Sequence, residues 1–530
     1  LTIALGEIES SSTSESRRDE TGAGMKVWAG FVAFGAILAI ILSVREISRA
    51  SHGLSETAIR VGSIPVTVFR PVDAPPSPAV VIAHGFAGSQ QLMQPMAMTL
   101  ARNGYIAVTF DFAGHGRNAE PLAGGIADME KSTNALLAEI GTVVAFARAL
   151  PGSDHRLAVV GHSMASDLVV EYSMKDPQIE ATAALSLFGR DVTATNPKNL
   201  IVIDGAWETS MLTDAGFRIV GMAAEGPARE RVTYGDVARG DGRRFVLAAD
   251  AEHIGVLYSR DALSETVGWM NETFGRHEAG FVDRRGKWLA LLFLGLVALA
   301  FPASRLLPVV SATPLGAGLS WRRLAPVAIA PAILTPLVLW KIPTDFLPIL
   351  LGDYLVVHFL VYGLSTVAGL WLFGGLGQAP VGVAPSRVGL AIGGLALAGY
   401  YVIAMGLPID AYVTSFVPTG LRWPLIPAMF CGTAIYFLAD EWLTRGAGAA
   451  WGGYAFTKLC FLVSLIAAVA LNPRKLFFLV IIVPVIFLLF VIYGLLSRWV
   501  YSRTRDPRVG ALGSAIGLAW AIAVTFPVVG

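Results

Sequence analysis

The chain divides into two textures. Between Ser55 and about Gly275, short β-branched runs alternate with amphipathic stretches; from Lys287 onward, long apolar segments replace them. In the first part, Ile64 to Arg70, Ala79 to Ala83, Ile106 to Phe110, Leu157 to Val160, Ala181 to Leu187, Leu200 to Ile203 and Phe245 to Ala248 read as strands. Their apolar continuity predicts a sheet covered on both faces. Leu92 to Asn103, Ser132 to Ala149, Ala165 to Met174 and Leu263 to Phe274 read as helices, and the βαβα order predicts a mostly parallel sheet with right-handed crossovers.

In the second part, residues 287–530, the runs Trp288 to Phe301, Leu324 to Trp340, Leu355 to Phe373, Val388 to Met405, Leu425 to Ala439, Phe461 to Leu471, Leu476 to Leu496 and Ala511 to Val528 predict a bundle of about eight membrane spans. Spacings such as Gly389/Gly393 and Gly513/Gly517 would let such helices pack closely. One more apolar run, Val27 to Val44, matches ~30 Å of hydrocarbon. The sequence after it, Arg45-Glu46-Ile47-Ser48-Arg49, lacks a small-residue cleavage site, so residues 25–50 are expected to be an uncleaved anchor rather than a signal peptide. Residues 1–24 are polar and aperiodic and are expected to be disordered, with Met25 a plausible natural start.

Composition supports this division. A hydrophobic fraction of 54% over 530 residues exceeds what a wholly soluble protein carries. The balance of 40 Lys+Arg against 39 Asp+Glu gives no field that would attract nucleic acid. Cys431 and Cys460 both lie in apolar stretches and read as small buried hydrophobes. Threading the spans alternately puts Arg305, Arg322, Arg323, Arg387, Arg445, Lys458, Arg498, Arg503, Arg505 and Arg508 on one side. Only Lys341, Arg422, Arg474 and Lys475 fall in the short loops of the other. If the richer side is cytoplasmic, the chain is a multi-pass protein of the cell membrane with its first domain extracytoplasmic. Arg284, Arg285 and Lys287 lie on the wrong side of this assignment.

The strongest chemical signal is Gly161-His162-Ser163-Met164-Ala165, which follows the run Leu157 to Val160 and opens a helix. A serine on such a strand-to-helix turn has its Oγ exposed by strained backbone geometry. The segment resembles the nucleophile elbow of the α/β-hydrolase superfamily, with Ala165 in place of the usual last glycine. Serine at its own pKa is a weak nucleophile and requires a general base. The resemblance implies that His253, which follows the last strand, is that base. It also implies that an acid after the penultimate strand orients the base: Glu208 in Gly205-Ala206-Trp207-Glu208, alternatively Asp204, with Asp250 a third choice. His84-Gly85-Phe86-Ala87-Gly88 is similar to the family's oxyanion loop, which implies that the amides of Phe86 and Met164 serve as donors. Asp111-Phe112-Ala113-Gly114-His115-Gly116-Arg117 matches a turn of structural role.

The resemblance covers residues 55–275. It implies an α/β-hydrolase sheet domain, mostly parallel and capless, joined to an all-α transmembrane bundle. The expected activity is hydrolysis of a carboxylic ester, possibly lipid-like, through an acyl-serine intermediate, with no cofactor and no metal; an amide or thioester substrate is the neighbouring choice. A capless site is expected to be relatively open. The expected partners are a small-molecule or lipid-like ester and the bilayer. Two other classes remain: a transporter or lipid-handling protein whose hydrolase-like domain only binds, and a bundle that recruits protein partners. Within the spans, Asp353 and His358 are candidates for a relay or for plain interhelical hydrogen bonding, and Asp440-Glu441 reads as a polar helix end.

Overall fold

The computed structural model describes residues 2–125, 128–189, 192–277, 280–376 and 384–530, with side chains from residue 24 onward. Helix α1 (Thr2–Ser48) is drawn through the polar stretch as well as the apolar run, with no proline to interrupt it. The sheet that follows is nine-stranded: β1 (Leu54–Val61), β2 (Ile64–Pro71), β3 (Ser77–Ala83), β4 (Ile106–Phe110), β5 (Ser153–His162), β6 (Ile179–Leu185), β7 (Leu200–Gly205), β8 (Thr233–Tyr234) and β9 (Arg243–Ala248), in the order β1-β2-β4-β3-β5-β6-β7-β9-β8. From β4 to β9 the neighbours in this order are parallel, while β1, β2 and β8 are antiparallel to theirs. All seven expected strands are present. The two unexpected ones lie at the edges: β1 has only exposed and half-buried positions, and β8 has two residues, so neither carries an apolar run.

Helices α2 (Gln94–Arg102), α3 (Met129–Arg148), α4 (Met164–Lys175), α5 (Ser210–Gly221) and α6 (Arg260–Phe274) cover the sheet. The period-two alternation of strand side chains creates two cores. Val80, Ile82, Val160 and Ile203 meet α2 and α6 through Met96, Leu100, Leu263 and Trp269. Val81, Val108 and Val159 meet α3 and α4 through Ile140, Val143 and Leu168.

The remaining helices are α7 (Arg285–Ser304), α8 (Trp321–Leu339), α9 (Gly352–Leu372), α10 (Arg387–Gly399), which continues through a π-turn at Tyr400–Met405 into α11 (Gly406–Tyr412), then α12 (Arg422–Thr444), α13 (Gly453–Leu471), α14 (Pro473–Leu476), α15 (Leu479–Thr504) and α16 (Pro507–Thr525). Among the described residues, nine helical segments are long and apolar enough to cross a membrane, one of them near the N-terminus, consistent with a multi-pass membrane protein. Helices α10 and α16 meet through small residues, Gly393 against Val509 and Gly513 against Leu397. His358 hydrogen-bonds Tyr354 of its own helix (3.3 Å) and, across to α13, Ser464 (3.1 Å). Asp440 and Glu441 are buried against Lys458 (2.5 Å) and Arg445 (3.0 Å) instead of forming a free polar end, because they face neighbouring side chains within the bundle.

The domain rests on the bundle by the C-terminal ends of its strands. Arg422 is buried at the start of α12 and donates to the carbonyls of Ala523 (3.0 Å), Phe526 (2.8 Å) and Gly114 (2.7 Å), tying two helices to a loop of the domain. Backbone bonds join Leu122 and Gly114 to Val528. Arg117 pairs with Asp410 at 2.7 Å, and Ser415 Oγ donates to Gln91 at 3.0 Å. Arg422→Met should remove the guanidinium donors from the buried Ala523 and Phe526 carbonyls and leave Gly114 only its bond from Val528, each carbonyl left unpaired costing about 1–3 kcal/mol. The expected outcome is a clearly lower melting temperature in mild detergent together with faster proteolytic separation of domain and bundle, read by scanning fluorimetry and gel.

Candidate active site

Strand β5 ends at His162 and α4 begins at Met164, so Ser163 occupies the whole turn between them, at φ 55° and ψ −122°. An L-residue adopts such a conformation only where its surroundings impose it. Here the Ser163 N–H is bonded to the Leu185 carbonyl of the next strand at 2.9 Å. Gly161 makes the turn possible: a Cβ there would lie 2.2 Å from the Ala165 carbonyl oxygen. Ala165 is itself fully buried, so its methyl group fits where the superfamily's glycine is usual.

His253 stands on the loop after β9. Its Nε2 lies 2.8 Å from Ser163 Oγ, and its Nδ1 lies 2.5 Å from Glu208 Oε1. The carboxylate accepts the Nδ1–H, which leaves Nε2 free to accept the serine proton. Glu208 is held in turn: its Oε2 accepts from the Gly205 N–H at 2.6 Å and from Ser186 Oγ at 2.9 Å. The expected order serine, acid, histidine is therefore assembled with Glu208, and the alternative Asp204 is not in it. Asp204 belongs to β7 and is buried, with carboxyl oxygens that lack well-formed hydrogen bonds. Burial, and next the Glu208 carboxylate, push its pKa up to about 8. Asp250 likewise makes no bond to His253.

Two neighbouring histidines fix the frame. His162 Nε2 donates to the His253 carbonyl at 2.7 Å, joining the elbow to the histidine loop. Burial, then the proximity of His253, pushes its pKa down to about 3, so it is a neutral donor. It occupies the variable position of the Gly-x-Ser motif, where nothing in the sequence marks it. His84, whose pKa burial also lowers, accepts from the Phe112 N–H at 3.2 Å and donates to the Gly85 carbonyl at 2.9 Å, shaping the loop that carries Phe86. That loop runs against the serine: a Cβ at Gly85 would lie 2.9 Å from Ser163 Cβ. Met164 is the first residue of α4, where an N–H has no partner within its own helix.

The site is covered. The connection between β6 and β7 carries no room for a large cap, as expected, but loops of the bundle take that place, so the expected openness does not follow. Phe478 stacks on Phe86 with centroids 4.6 Å apart, and Ser163 is only 5% exposed. Beside them lies a cavity of about 240 Å³ lined in part by Phe86, Met164, Phe188, Leu350 and Phe478. The sequence held no sign of this cover, because its two halves are separated by several hundred residues.

Residues 74–191 match the family model described as serine aminopeptidase, S33. A protein named as a non-heme haloperoxidase, from Mycobacterium phage D29, is 30% identical over 107 residues, covering 20% of this chain and 34% of its own; the chain thus spans about a third of that relative. Among solved structures, Est1E from Butyrivibrio proteoclasticus is 13% identical with a TM-score of 0.31, covering 42% of this chain and 99% of its own. A dienelactone hydrolase from Anabaena variabilis is 15% identical with a TM-score of 0.30, covering 43% and 100%.

The raised pKa of Asp204 has a thermodynamic consequence. Its ordinary value is 3.8 and its folded value about 8, so between these the folded state holds a proton that the unfolded state has lost. Stability from this group is complete below about pH 4 and is lost as pH rises through about 8. Asp204→Asn should therefore match wild type near pH 4 and exceed it by several kcal/mol near pH 9, measured by denaturant titration in detergent. With the mostly parallel sheet, the serine on its strained turn and the family match over residues 74–191 taken together, residues 54–274 form a domain with the α/β-hydrolase fold, joined to a helical region of long apolar helices.

Proposed function

We propose that this domain is a serine hydrolase that cleaves a carboxylic ester. The observation that carries the reading is the unbroken hydrogen-bonded line from Ser163 Oγ through His253 to Glu208. In this mechanism His253 Nε2 takes the Oγ proton as the oxygen attacks the ester carbonyl carbon. The N–H groups of Phe86 and Met164 hold the oxyanion, and Glu208 holds the imidazolium. His253 returns the proton to the departing alkoxide, leaving an acyl-serine. Water then repeats the sequence, releasing a carboxylic acid and restoring the serine.

The family description favours a second reading, hydrolysis of an aminoacyl amide, which uses the same groups. Est1E and the dienelactone hydrolase carry too little similarity to choose between them. Ser163→Ala should abolish fluorophosphonate labelling and lower turnover by about 10⁴-fold or more, with the protein still folded in the membrane. Wild-type protein that never labels contradicts the proposal. If Ser163→Ala leaves the cellular role intact while deletion of the domain destroys it, the domain binds without catalysing.

We also place the domain outside the cell, on the extracellular or periplasmic face of a multi-pass membrane protein. Arg285, which counted against this orientation, is a buried group paired with Asp283 at 2.8 Å and donating to Gln94 at 2.7 Å. It belongs to the junction of a long domain, and such domains cross largely regardless of charge. Protease added to intact cells or spheroplasts should digest the domain; protection until lysis would reverse the assignment.

A further inference from the structure

We infer that the cavity between domain and bundle is the acyl pocket of the site, and that it takes a single apolar acyl arm of an amphiphilic ester drawn from the bilayer. This rests on the esterase reading above and adds its substrate class. The cavity shares Phe86 and Met164 with the site of Ser163, so an acyl chain whose carbonyl lies between their amides has this space directly beside it. Its floor is Leu136 of α3 and Leu168 of α4, and its roof is Leu350 and Phe478 of the bundle. Ser132, Thr133 and Asp167 supply the polar part of a wall that is otherwise apolar.

The size argues for one arm. At about 240 Å³ the cavity lies below the ~300–1,000 Å³ that encloses a whole drug-sized ligand, so the rest of the substrate stays outside. Its position argues for the source. Leu350 stands just before α9 and Phe478 just before α15, at the level where two spans enter the membrane. Met129 and Phe477, also on the lining, are 55% and 43% exposed, an apolar rim at that same level. A bilayer amphiphile holds its ester groups at this depth and its chains in hydrocarbon. The bundle thereby contributes the roof of the pocket through Leu350, Phe477 and Phe478, which a single anchor helix could not do.

The test uses full-length protein in lipid nanodiscs, fluorophosphonate labelling, and nitrophenyl acetate, butyrate and octanoate alongside leucine nitroanilide. Wild type should label, and kcat/KM should rise about fourfold per added methylene that the pocket buries. Thr133→Trp, which fills the cavity from a half-exposed position, and Phe478→Ala, which removes the roof, should each lower the octanoate-to-acetate ratio at least tenfold while still labelling. Either variant suffices should the other not fold. Labelled protein with a flat chain-length profile, with ratios untouched by both variants, or with preference for leucine nitroanilide overturns the acyl pocket and leaves the serine hydrolase standing. Protein that neither labels nor turns over any ester overturns both.

Discussion

The backbone turn at Ser163 sets the geometry on which the site depends. Strand β5 is paired with β3 up to Gly161 and with β6 up to its last residue His162, and α4 must start at once to pack against the sheet, so the reversal is compressed into one residue with positive φ. That conformation is unfavourable for serine in isolation and is offset by the packing of Gly161 against Ala165 and by the bond from Ser163 N–H to Leu185. Because the sheet is rigid, the loops following β7 and β9 arrive at fixed distances from the same point. Glu208 and His253 need only short excursions to reach it.

Parallel sheets gather their functional loops at the C-terminal ends of the strands, and in this protein that edge faces the bundle rather than solvent. Arg422 fastens the two parts by giving its donors to carbonyls from α16, the segment that follows it and the Gly114 turn. A buried guanidinium satisfied by three carbonyls is demanding of geometry, so it also fixes how the bundle's loops lie over the domain. The stack of Phe478 on Phe86 then encloses the residue proposed to hold the oxyanion. Ser163 is thereby left only 5% exposed, shielded by a part of the chain far from it in sequence.

Much of this was legible in the sequence where one residue pattern decided the outcome. Seven strands announced themselves because both faces are buried and their side chains are apolar without a break; β1, with one wet face, and the two-residue β8 gave no such signal. The helices long and apolar enough to cross a membrane were legible from length and apolarity alone. The elbow could be read because turn, strand and helix are local. Spacing after Gly205 favours Glu208 over Asp204, but Asp204 stays an alternative in the sequence because the outcome depends on which side chain leaves the strand, and Asp204 is still within β7. His162, the roof over Ser163 and the pairing of Asp440 with Lys458 were invisible because each depends on contacts between different elements that only the folded chain brings together.

The most direct test of the account is to quench the purified protein with acid during turnover of a slowly deacylating ester and measure the mass of the peptide containing Ser163. The account predicts an increase equal to the acyl group, located on Ser163 and rising to a steady level before product accumulates linearly. Steady ester hydrolysis with that peptide unmodified, or with the acyl group on another residue, would contradict it.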